Sequence, residues 1–223
     1  MINFPDINGR WITFFHIPKT GGSTVLYGIF SNGIIHSDTG NFFPASRRLR
    51  FNAWHYNHGN SHHGNPNDGA YKYADHFPYI AAKKLDYSIH DHSIAFVRNP
   101  WQRCVSAYLY TKNLRLTNKT ASFGEWIDSI DHEREDCWLP QNPNPQYKYL
   151  IDEQGKIAVS RIYKLEEINL VELFSDLLGK KLPQVRINVT PPYDFRSFYN
   201  DGLIEKVARI YAKDIDLFSY KYK

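Results

Sequence analysis

Near the N-terminus, Trp11-Ile12-Thr13-Phe14-Phe15-His16-Ile17 is a short β-branched and aromatic run of the kind that forms a buried strand. It ends at Pro18-Lys19-Thr20-Gly21-Gly22-Ser23-Thr24, and an apolar helical segment, Val25-Leu26-Tyr27-Gly28-Ile29-Phe30, follows. A strand, a glycine turn and a helix in direct succession restrict the fold more than any other feature of the chain. Glycines let the backbone fold so that successive N–H groups converge on one anion, and the helix N-terminus adds the positive end of its dipole. Lys19 can reach the same anion, and Ser23 and Thr24 add hydroxyl donors. The plainer alternative is a strand-to-helix turn with a surface lysine.

The order of residues narrows the ligand. A nucleoside-triphosphate loop reads Gly-x-x-x-x-Gly-Lys-Ser/Thr, with the lysine after the glycines. Here Lys19 precedes them, and no apolar run ends in an Asp suited to helping hold Mg²⁺. The loop reads as a site for a phosphate-like anion that fits an ordinary ATPase poorly.

A second segment repeats the pattern. Ser93-Ile94-Ala95-Phe96-Val97 reads as a buried strand with Arg98 at its carboxyl end. Asn99 then caps a helix that begins at Pro100 and runs to about Lys112. Ser106 falls two helical turns on, on the face that can look back at Arg98. Ligands of open parallel sheets sit at the carboxyl ends of strands, so Arg98 and Ser106 can grip a second phosphate. An arginine in this place also serves as a surface ion-pair partner; beside the first loop, it describes a ligand with two separated anionic ends. Trp101 reads as core rather than as a base-stacking contact.

The rest of the chain fits an α/β fold with three layers and a central, mostly parallel sheet, as one domain over residues 1–223. Helices are expected over 76–86, 123–130, 166–178 (closed by Gly179) and 203–218, and a hairpin over 147–151 and 156–163. Residues 36–69, rich in His, Asn, Gly, Ser and Arg, show no period and read as a long functional or irregular loop. The 16 Tyr, 14 Phe and 5 Trp argue for a real core and against disorder. A net charge of +4 is too mild for nucleic-acid binding or polybasic membrane binding. The excess lies in residues 1–130, with 13 basic and 8 acidic residues, where both anion segments lie. Cys104 and Cys137 rule out a disulfide framework, though not a single bridge. No run approaches the length of a membrane span and no signal peptide is present, which predicts a cytoplasmic protein without stable membrane insertion.

The two segments together resemble the sulfotransferases that use 3′-phosphoadenosine-5′-phosphosulfate (PAPS), in the branch of carbohydrate O-sulfotransferases. His16 to Thr24 is similar to that family's 5′-phosphosulfate loop and Phe96 to Tyr108 to its 3′-phosphate segment. Asn188-Val189-Thr190, Tyr199 and Tyr211 to Tyr220 extend the likeness in the same order. The resemblance implies transfer of a sulfuryl group from PAPS, which leaves as 3′-phosphoadenosine-5′-phosphate (PAP), to a hydroxyl of a glycan or glycoconjugate. It implies that Thr20, Gly21, Gly22, Ser23 and Thr24 cradle the 5′-phosphosulfate and that Lys19 stabilises the departing phosphate. Arg98 and Ser106 would hold the 3′-phosphate. Family members acting in the Golgi usually carry a membrane anchor; lacking one, this chain reads as a cytosolic enzyme or an excised domain.

Such a reaction needs a base for the acceptor hydroxyl, and histidine suits that task. His76, in Asp75-His76-Phe77-Pro78, stands where related enzymes carry a catalytic His or acid. His55, His58, His62, His63, Asp75 and Glu125 compete with it, and His16 reads as a packing residue. His55-x-x-His58-x-x-x-His62-His63 also has the look of a metal site, but it lacks cysteine and a helix, so an acceptor-binding loop fits better. Trp138, Gln141 and Tyr147 are further candidates to line a sugar. Asn118 and Asn188 stand in glycosylation sequons that read as chance. The rival readings are a P-loop nucleotide kinase or NTPase and a non-catalytic nucleotide-binding module.

Overall fold

The computed structural model describes residues 1–22, 24–25, 76, 78–84, 86–113, 121–130, 143–182 and 193–223. Four strands, β1 (Ile2–Pro5), β2 (Trp11–Phe15), β3 (His92–Val97) and β4 (Arg161–Lys164), form one sheet in the order β1-β2-β3-β4. The β1–β2 pair is antiparallel, whereas β2–β3 and β3–β4 are parallel. The sheet is thus mostly parallel, as the alternation of strands and helices predicts. The carboxyl ends of β2, β3 and β4 lie side by side, with Phe15 opposite Ala95 and Val97 opposite Lys164.

Both faces of the sheet are covered because β2 and β3 are apolar on both sides. Phe15, Ala95 and Val97 point into one core, which α2 (Pro100–Asn113), α3 (Phe123–Ser129), α5 (Asp201–Ile210) and α6 (Ala212–Leu217) help to build. Ile12, Phe14, Ile94 and Phe96 point the other way, against Phe174 and Leu178 of α4 (Leu170–Leu178). This division makes the three layers. A short helix, α1 (Tyr79–Lys84), lies within the expected 76–86 segment, and Tyr79 packs on Phe15. Trp101 is core: its indole N–H donates to Ile204 O and its ring meets Tyr222 edge-on.

Three local expectations change. The predicted hairpin reduces to one antiparallel bridge, Ile151 to Ile157, while Arg161–Lys164 joins the sheet parallel to β3. Gln146–Tyr149 is a 3₁₀ turn, because the N–H groups of Gln146 and Tyr147 go to the Asp214 carboxylate instead of a strand. Helix 203–218 breaks at Tyr211, whose hydroxyl donates to Pro143 O. Segment 166–178 divides into a 3₁₀ turn and α4, since Asn169 caps α4, and Gly179 closes it in the left-handed conformation. Among the described residues, no helix is long and apolar enough to cross a membrane.

Candidate functional site

The turn after β2 is shaped by packing. Lys19 has φ +68° and Gly21 φ +86°, so two residues occupy the left-handed region, one of them a lysine for which this is a local cost of about 1 kcal/mol. Thr20 is fully buried and its hydroxyl donates to Ile17 O at 2.8 Å, closing the turn. The Thr20 side chain therefore builds the loop rather than reaching a ligand. A Cβ at Gly21 would lie 2.7 Å from Leu170 Cδ1, and one at Gly22 would fall inside the His16 imidazole. Gly22 also opens the helix that includes Thr24 and Val25. Ser23 lies outside the described residues, as do residues 26–75.

Arg103 of α2 holds this turn from beneath. It is 1% exposed, and it donates from Nε to Pro18 O at 2.9 Å and from Nη1 to Asn144 O at 2.8 Å. Tyr110, two turns on, lies under the Lys19 ammonium, with Nζ 4.0 Å from the ring centre. Ser106 stands between them on the same stripe of α2, since Arg103, Ser106 and Tyr110 are spaced by three and four residues. It is buried.

Arg98 follows β3 directly. Gln146 pairs with its peptide on both sides: Arg98 N–H donates to Gln146 Oε1, and Gln146 Nε2 donates to Arg98 O, each at 2.8 Å. Asn99 comes next, with its N–H on Glu166 Oε1 at 2.7 Å and its side chain accepting from Trp101 N–H at the start of α2. The predicted cap is therefore present. Burial and the neighbouring Arg98 charge lower the Lys19 pKa to about 7. Lys19 and Arg98, at the exits of adjacent strands, are thus near enough for their charges to repel, and no carboxylate among the described residues pairs with either. Such a pair is the electrostatic outline of an anion site.

His76 sits against the same loop. Its Nδ1 is 3.0 Å from His16 O, and the two rings are 4.4 Å apart. A carbonyl only accepts, so in this contact Nδ1 carries the proton. His16 is buried and stacked on Phe14, as a packing residue should be. Glu125, a rival base, is occupied in the capping box of α3: its carboxylate accepts from Ser122 N–H and the Ser122 side chain accepts from Glu125 N–H. Tyr147 lies under Lys213, 4.2 Å from Nζ. His55, His58, His62, His63, Asp75, Asn118, Cys137, Trp138, Gln141 and Asn188 lie outside the described residues.

A model of the sulfotransferase family matches residues 10–221, nearly the whole chain. The chain belongs to the sulfotransferase family. No curated protein and no solved structure matches it. The candidate site draws on four residues that sequence reasoning passed over: Arg103, Tyr110, Gln146 and Asp214. Two left a trace. Asp214 falls on the buried stripe of Val207, Tyr211 and Phe218, and Arg103 sits within a buried helix face, so each is a charge at an apolar position. Gln146 and Tyr110 left none.

Proposed function

We propose that this sulfotransferase moves a sulfuryl group from PAPS to a hydroxyl, most naturally that of a glycan or glycoconjugate, with residues 1–223 acting as one domain. The observation that carries the donor reading is the Lys19–Arg98 cation pair at adjacent strand ends beside the glycine turn. PAPS supplies an activated sulfuryl group. It fits these residues because it bears two anionic ends, one for the turn and one for Arg98.

In this reading Thr20 to Thr24 surround the 5′-phosphosulfate, with Thr20 contributing through its backbone because its hydroxyl already serves Ile17. Lys19, released from the Tyr110 ring, neutralises charge that develops on the departing phosphate, the kind of preorganised electrostatic help that dominates group transfer. Arg98 and Ser106 hold the 3′-phosphate. His76 accepts the acceptor's hydroxyl proton at Nε2, while its Nδ1–H stays on His16 O and fixes the ring. The glycan acceptor rests on the family branch that the sequence resembles. A cytoplasmic location is part of the same reading.

The test is incubation with PAPS carrying labelled sulfate and a panel of glycans and small alcohols. Labelled product from a glycan is expected. Absence of PAP binding by calorimetry together with absence of transfer to every acceptor would overturn the reading.

A further inference from the structure

Arg98 is placed by a side chain that acts as a piece of sheet. In a parallel ladder each residue offers an N–H and a C=O to its neighbour, but β3 is paired with β4 only as far as Val97. Arg98 lies one residue beyond, and Gln146 supplies the missing rung, its amide accepting from Arg98 N–H and donating to Arg98 O. Gln146 is fully buried and is itself fixed by Asp214, also fully buried. Asp214 accepts from Gln146 N–H at 2.7 Å and Tyr147 N–H at 2.8 Å, and its Oδ2 is 3.5 Å from Gln146 Nε2. The line Asp214, Gln146, Arg98 thus runs from the C-terminal helices to a cation at the site, through groups 68 and 48 residues apart in sequence.

We propose that Gln146 and Asp214 are positioning residues that set recognition of the 3′-phosphate by fixing the Arg98 backbone. The inference rests on the reading of Arg98 given under Proposed function. A bidentate guanidinium contact depends on the direction from which the side chain leaves the backbone. Without the Gln146 rung the peptide at Arg98 is free to turn, and the guanidinium loses its aim. The hydrogen bonds of Gln146 go to Arg98 and Asp214 and none to the turn after β2, so recognition of the 5′ end should survive. The brace therefore has a selective signature, unlike a merely structural role.

The experiment measures, by competition calorimetry, the affinity for PAP and for 5′-AMP, which lacks the 3′-phosphate, in wild type, Gln146→Leu, Asp214→Asn and Arg98→Ala. The ratio of the two affinities is the readout. A partly unfolded variant weakens both ligands by the same factor, so the ratio is insensitive to loss of folded protein. Gln146→Leu should lower the ratio about tenfold, toward the Arg98→Ala limit, and Asp214→Asn should lower it about threefold. A wild-type ratio retained in both brace variants would overturn the proposal. A wild type that does not prefer PAP over 5′-AMP would instead overturn the assignment of Arg98 to the 3′-phosphate, and the brace would fall with it.

Discussion

After β2 the chain turns through two left-handed residues, and its shape is held by neighbours packed against glycine: His16 on Gly22 and Leu170 on Gly21. After β3 the chain is held by its own peptide groups, with Gln146 on Arg98 and Glu166 on Asn99. The two exits lie side by side at the same edge of the sheet, yet one is sensitive to side-chain volume and the other to hydrogen-bonding identity. An anion cradle needs backbone brought close to the ligand, which excludes side chains from the turn. A guanidinium clamp needs a fixed point of departure, which invites hydrogen bonds.

Adding one methyl group should break the first exit most severely. Gly22→Ala places a Cβ within the His16 ring, and we expect PAP affinity to fall by about 100-fold or more. The double variant Gly22→Ala/His16→Ala should recover part of that loss in the same calorimetric titration. No recovery would show that His16 is not what excludes a side chain at Gly22.

Removing the charge rather than the space should act on turnover. Lys19→Ala is expected to lower kcat by about 100-fold, and normal turnover would remove its role on the departing phosphate. His76→Ala should lower kcat by a similar factor, about 100-fold, with PAP affinity unchanged. Unchanged turnover there would remove His76 as the base and leave the donor site intact.

The pH dependence of donor binding separates the two exits further. Lys19 is depressed to about 7 by burial and by Arg98, and anion binding requires its charged form. Affinity for PAP should be fullest below about pH 7 and fall as pH rises through 7, approaching about tenfold per unit while the bound lysine stays protonated. Titrations in two buffers of different ionisation enthalpy should report proton uptake at pH 8. A flat profile from pH 6 to 9 would contradict this.

The smallest effect belongs to Tyr110. Replacement by Leu removes the ring under Lys19 and should change donor affinity about two- to fivefold, with the midpoint of the pH profile moved down; Tyr110→Phe should match wild type. If Phe and Leu behave alike, the ring face is not what the ammonium uses.

Sequence alone made much of this site visible because its parts are local. Strand, glycine turn and helix follow one another in 20 residues, and Asn99 caps α2 with a side chain that needs only the next turn. That β2 and β3 are buried strands came from residue type alone. The hairpin misread had a physical reason: a short apolar run carries no sign of which strand it will pair with, and β4 pairs parallel with β3, more than 60 residues away. Helix 203–218 likewise shows a continuous stripe, while the break at Tyr211 comes from its bond to Pro143.

What the sequence determined by itself was the set of groups on offer: a glycine turn, a lysine before it, an arginine at a second strand end and a histidine between them. Only the tertiary structure decided how these groups are aimed. It set His76 Nδ1 on His16 O, laid Lys19 over Tyr110 and fixed Arg98 through Gln146 and Asp214. The reason is range. Caps, turns and strand period are written in neighbouring residues, whereas a buried amide standing in for a strand rung depends on two segments meeting within 3 Å, which no spacing in the chain encodes.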